Sequence, residues 1–238
     1  MSRITLTPQV AQAFPEAEIR LVCALGLDNA SPWAEAAGIR ALAEESVAAG
    51  RAGAFGEDSD HIASWHEAYR AFGTNPRRTR PSVDALLRRV RKSGALPSIS
   101  PAVDSYNAVS VLSGLPAGAF DLDRVAGDIE IRFARDGDMF EPLGEPGEWE
   151  SARPGEVIYA DAQTVLTRHW NHRDCHQTML RADSRNALFM LERASGKVPL
   201  DQLDQAAARL AGLVAGHCAR VEARALSRDR PQAALPAR

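Results

Sequence analysis

The chain has 238 residues, 45% of them hydrophobic and 25% charged, with a net charge of −3. That length supports a substantial core in one large or two small domains, and the charge excludes a molecule that draws nucleic acid over its whole surface, so any basic patch has to be local. No long apolar stretch opens the sequence, and Cys23, Cys175 and Cys218 form no CxxC pair, which predicts a reduced cytoplasmic protein without leader or membrane anchor.

Two apolar runs come first, ITLT from Ile4 and EIRLVCALGL from Glu18, and the second alternates like a strand. SPWAEAAGIRALAEESVAAG then predicts a helix, with Ser31 as N-cap, Pro32 at the first helical position and Gly50 as the stop. A second helix is expected over about 60 to 71, followed by a turn at GTNPRR. RPSVDALLRRVRKSG is the clearest helix: Ser82 caps it, Val83, Leu86, Leu87 and Val90 form an apolar stripe, and Gly94 ends it. Around it Arg77, Arg78, Arg80, Arg88, Arg89, Arg91 and Lys92 concentrate positive charge of the kind that contacts a phosphate backbone; a solvated helix face is the alternative.

SPAVDSYNAVSVLSG reads as a further helix ending at Gly114, on which Asp104, Asn107 and Ser110 make a polar stripe suited to lining a pocket. From Gly127 the pattern turns to strands. Ile129, Ile131 and Phe133 share one face, EVIYAD and QTVLTRHW form a hairpin, and NALFMLE is a short apolar strand. Leu203, Ala207, Leu210, Val214, Cys218 and Val221 then follow helical spacing. This order lacks regular βαβ alternation and predicts one α+β domain over 1–226, with 227–238 as a flexible tail.

RHWNHRDCHQT, residues 168–178, is the densest concentration of chemistry. His169, His172, His176 and Cys175 are zinc-ligand types, but Arg168 and Arg173 oppose a cation, and no metal is expected. As part of a pocket, Trp170 and Asn171 would supply shape and hydrogen bonds, Arg173 would face an anionic or ribose group, and Asp174 or His176 would orient a water. A polar strand with incidental histidines is the remaining reading.

The segment from Leu96 to Asp138 resembles the B3/B4 domain, the tRNA-binding and editing module of the bacterial phenylalanyl-tRNA synthetase beta chain. The resemblance is carried by Val103-Asp104, Asn107, Gly114, Pro116 and Ala119-Phe120-Asp121, spaced without a gap, then by Arg132 and Ala134. It extends loosely over 15–195, where GTNPRRTRPSVDALLRRV and WNHRD look like free-standing B3/B4 proteins. It implies a mixed sheet with helices packed around it, and a pocket that receives the aminoacylated 3′ end of tRNA and hydrolyses a wrong ester without a cofactor. Asp104, Tyr106, Asn107, Ser110, Trp170, Asn171 and Arg173 would then bind substrate, Asp174 and His176 would activate water, and the basic cluster would meet the RNA. Tyr106 replaces the motif's threonine, Gly118 replaces its histidine, and its glycine-rich turn with a glutamate is missing. A module that binds tRNA or an amino acid without catalysis is therefore the alternative.

Overall fold

The computed structural model describes residues 2–51 and 55–237. Twelve strands are found among them: β1 (Arg3–Leu6), β2 (Glu18–Leu25), β3 (Ala117–Asp121), β4 (Ile129–Phe133), β5 (Met139–Phe140), β6 (Glu150–Ser151), β7 (Val157–Ala160), β8 (Val165–Arg168), β9 (Arg173–Asp174), β10 (Asn186–Arg193), β11 (Arg220–Leu226) and β12 (Gln232–Ala234). The helices are α1 (Pro8–Ala13), α2 (Ala34–Ala48), α3 (Asp60–Ala71), α4 (Ser82–Ser93), α5 (Pro101–Ser113) and α6 (Leu200–Ala215). The α+β expectation holds.

A six-stranded sheet runs β12-β1-β4-β7-β8-β9 and a four-stranded sheet runs β11-β2-β10-β3. Side-chain parity on the smaller sheet shows how the layers stack. Ile19, Leu21 and Cys23 of β2, with Leu188 and Met190 of β10, enter the core shared with the larger sheet. Val22, Ala24, Ala187, Phe189 and Leu191 enter a second core with α2, α4, α5 and α6. The central strand β10 is thus buried on both faces, which is why NALFML is a continuous apolar run rather than an alternating one.

Gly94 and Gly114 end α4 and α5 in the left-handed region, at φ 77° and 70°. Other boundaries move. α2 begins at Ala34 instead of Pro32, because the indole of Trp33 is buried with Nε1 donating to the Asp28 carbonyl (2.8 Å), and this directs the chain before the helix starts. Ser82 is the first helical residue of α4 and caps nothing; Pro81 holds the boundary.

The last helix also stops early. Residues 220–226 form β11, antiparallel to β2 with Ala223 opposite Val22, and Cys218 and Val221 reach the helix-side core from outside α6. A strand edge on a buried sheet outweighs helical spacing here, since β2 needs partners for its backbone polar groups. The expected flexible tail is corrected too: β12 pairs with β1, Leu6 N donates to the Pro231 carbonyl (2.7 Å), and Leu235 is buried.

Leu235→Ala is expected to lower stability by about 2–4 kcal/mol in urea denaturation, as loss of a core leucine does. An unchanged midpoint would restore the frayed-tail reading.

Candidate functional site

The β7–β8 hairpin delivers the chain to Arg168, and a sharp turn follows. His169 and Trp170 are the non-glycine residues with positive φ, 48° and 69°, among the described residues. The turn buries Trp170 edge-on against Phe14 and Trp65, with ring centres 4.9 and 5.3 Å away. On β10, parity puts Glu192 on the same side as Leu188 and Met190, facing the inter-sheet core. A carboxylate there requires donors. It has three: Trp170 Nε1 (3.2 Å), Asn171 Nδ2 (2.8 Å) and the Tyr159 hydroxyl. Asn171 is held in turn by the Tyr69 hydroxyl (2.8 Å), and its carbonyl accepts from Ser82 N (3.0 Å) at the start of α4.

These groups surround a cavity of about 40 Å³ whose walls include Ser82, Gly118, His172, Asp174 and Glu192. That volume suits a water or two. Asp174 Oδ1 accepts from Thr167 Oγ1 (2.7 Å), across the β8–β9 pair. Burial, with no cationic partner among the described residues, pushes the Asp174 carboxyl up to about 6, opposed by that single hydroxyl. Burial likewise pushes Glu192 up to about 7 against its three donors, and the Asp174 charge adds to the rise. His172 donates Nδ1–H to the Arg80 carbonyl (2.7 Å), and burial lowers its pKa, which favours the neutral ring with Nε2 as an acceptor. The Ser82 hydroxyl is buried with no partner among the described residues.

The B3/4 domain family matches residues 64–219. This chain belongs to that family. Curated relatives of this B3/4 domain include the phenylalanine–tRNA ligase beta subunits of Methylococcus capsulatus, 41% identical over 81 residues, and Neisseria meningitidis serogroup B, 37% identical over 93. Those matches cover 34% and 39% of this chain but only 10% and 11% of the subunits. An N-terminal fragment of the phenylalanyl-tRNA synthetase beta subunit from Pyrococcus horikoshii aligns over 87% of this chain and 48% of its own, with 14% identity and a TM-score of 0.42.

Within the domain, the sequence-predicted residues separate. Trp170, Asn171, Arg173 and Asp174 line the cavity, although the Arg173 guanidinium is held by Glu145 (2.7 Å) and the Leu143 carbonyl (2.9 Å). Tyr106 is near enough for the Asp174 and Asp104 charges to add to the rise that burial imposes on its hydroxyl. The polar stripe on α5 does not line the cavity. Asp104 clasps the start of its own helix through Ile99 N (2.8 Å), Ser98 Oγ and Arg40, and Ser110 Oγ donates to the Leu115 carbonyl (2.6 Å). Asn107 is buried with no side-chain hydrogen bond among the described residues.

His176 lies off the cavity wall, with Nε2 3.4 Å from an Arg181 nitrogen. The three histidines do not converge: His169 sits against Thr74 and Glu156, and burial, with Arg168 nearby, lowers it to about 3. No group of three His, Cys, Asp or Glu among the described residues is arranged to hold a metal. The basic cluster divides as well. Arg80 and Arg88 bind Asp84 (3.0 Å each) and also pair with Glu57, and Arg91 donates to the Phe55 carbonyl (3.0 Å). Arg77, Arg78, Arg89 and Lys92 are exposed.

Glu192 and Tyr159 are site residues that sequence reasoning missed, and Ser82 was read only as a cap. For Glu192 the available signal was an acid whose parity matches the buried positions of the apolar strand preceding it. Gly118, where the resembled motif carries histidine, has a counterpart in Asp174: a Cβ at Gly118 would lie 3.7 Å from Asp174 Oδ2. The acid stands beside the space that glycine leaves.

Because folding raises the Glu192 pKa from its ordinary 4.5 to about 7, the folded state holds more protons than the unfolded state between those values, and stability falls as pH rises through that window. Glu192→Gln is expected to flatten this slope in urea unfolding from pH 4.5 to 7. An identical slope in both proteins would show that Glu192 does not titrate there.

Proposed function

We propose that this B3/4 domain binds aminoacylated tRNA and hydrolyses its ester in trans, with Asp174 as general base. One observation carries the reading: a carboxylate with no cationic partner among the described residues, its pKa pushed up to about 6, on the wall of a water-sized cavity beside a hydroxyl that has no partner among them. In the proposed step Asp174 takes a proton from a water, the new hydroxide attacks the ester carbonyl, and the tetrahedral oxyanion collapses. The ribose oxygen leaves with the proton that Asp174 returns. The Ser82 hydroxyl would steady the water or the oxyanion, while Trp170 and Asn171, fixed through Glu192, would position the acyl group. An aminoacyl ester is already activated, so no covalent nucleophile is required.

A second reading, binding without hydrolysis, is favoured by the cavity volume of about 40 Å³, which is small for an amino-acid side chain. Single-turnover deacylation across a panel of correctly and incorrectly charged tRNAs separates the two. On the hydrolytic reading one mischarged species is cleaved, and Asp174→Asn slows it by about 10²–10⁴-fold with tRNA affinity unchanged. The wild-type rate should rise with pH through about 6 and then level off, as Asp174 ionises. Tight tRNA binding without any rate above the uncatalysed ester would give the binding reading the field.

A further inference from the structure

The turn that lays Trp170 and Asn171 into the cavity has a second side. His169 Nδ1 lies 3.0 Å from Thr74 Oγ1, and Thr74 is part of an open groove of about 540 Å³ lined also by Arg70, Gly73, Asn75, Pro76 and Arg77. Arg70, in the last turn of α3, and Arg77 are both exposed. Arg153 reaches in from the loop before β7, with Nη1 donating to the Gly73 carbonyl (2.7 Å). A Cβ at Gly73 would lie 3.5 Å from Arg153 Nη2, and φ there is +79°, so glycine allows both the turn and the close approach.

Arg70 and Arg77 therefore line one concave surface, and the Arg153 guanidinium sits beside it at Gly73. The acids nearest them in sequence are engaged elsewhere: Glu67 with Lys197, and Glu150 and Glu156 with Arg168. Among the described residues no carboxylate pairs with Arg70, Arg77 or Arg153. Uncompensated guanidinium forks match phosphate oxygens in charge and geometry. The outer face of α4 is less well placed. Its exposed cations Arg89 and Lys92 lie about 10 and 15 Å along the helix from Ser82, the residue at the cavity, at a rise of about 1.5 Å per residue.

We infer that this groove holds the phosphodiester backbone of the single-stranded 3′ end of an RNA, whose esterified terminus crosses the 168–172 turn into the cavity. The direction of the strand rests on the proposed function; the cationic groove stands on its own geometry. Arg70, Arg77 and Arg153 would contact successive phosphates, and Thr74 with His169 would tie groove and cavity together.

The test uses the full chain, a deacylated tRNA, and the same tRNA trimmed of its unpaired 3′ nucleotides, with affinity measured by fluorescence anisotropy across a salt series. Neither Arg70 nor Arg77 makes an ion pair among the described residues, so R70A/R77A removes charge without removing support for the fold. For intact tRNA the slope of log affinity against log salt should become shallower by roughly 1.4 in R70A/R77A, about 0.7 for each single-strand phosphate that is no longer neutralised. R89A/K92A should keep the wild-type slope, and trimmed tRNA should bind wild type and R70A/R77A alike. A wild-type slope in R70A/R77A, the same flattening in R89A/K92A, or a flattening that persists with trimmed tRNA would each overturn the inference. Hydrolysis of a small aminoacyl ester without RNA reports on the cavity alone and should be unchanged in R70A/R77A. If wild type hydrolyses no ester at all, the proposed function falls and the salt slopes still decide the groove.

Discussion

The Glu192 carboxylate organises the site. It sits at the end of a strand whose preceding residues on that face, Leu188 and Met190, are core, and it is stabilised there by three donors from two places in the chain. Those donors belong to Tyr159 on β7 and to Trp170 and Asn171 on the turn after β8. One buried acceptor thereby fixes the smaller sheet against the larger and sets the shape of the turn between β8 and β9. Left-handed backbone at two consecutive non-glycine residues costs of order 1–3 kcal/mol each and persists only where the surroundings demand it. Here the demand comes from the indole and amide that Glu192 holds.

The electrostatics around that turn are partitioned. Several other acids shielded by the fold are paired with arginine: Asp138 with Arg132 at 2.6 Å, Glu156 with Arg168 at 2.8 Å, Asp104 with Arg40 at 3.1 Å. Among the described residues Asp174 and Glu192 have only neutral side-chain donors, which is why burial dominates their titration. The two arginines of the turn segment are neutralised by their own acids, Arg168 by the buried Glu156 and Arg173 by the exposed Glu145. The cavity side of the turn therefore carries Asp174 and Glu192, while Arg70 and Arg77 line the groove on the Thr74 side.

Much of the fold could be read from local pattern. α3, α4 and α5 fall close to where periodicity and glycine stops put them, since those signals act within a turn of helix. The strand character of β2, β4, β7, β8 and β10 was equally visible. β11 and β12 were not: Cys218 and Val221 match helical spacing, and the proline-containing end lacks any period. Both segments become strands because β2 and β1 offer unpaired edges, and an edge in space leaves no trace in the sequence that fills it.

The candidate site divides along the same line. The sequence by itself determined that chemistry would gather at residues 168–178, that a family motif would run from Val103 to Asp121, and that arginines would cluster after Gly73; each is a matter of residue type and local spacing. Only the tertiary structure decided which of those groups meet. It turned Asp104 and Ser110 to the support of their own helix, directed His176 away from the cavity, and paired Arg80 and Arg88 with Asp84. It set Asp174 beside Gly118 and brought Glu192 from a distant strand to meet Asn171. Hydrogen bonds and ion pairs between residues far apart in the chain make these choices, and their partners are specified by packing, not by proximity in sequence.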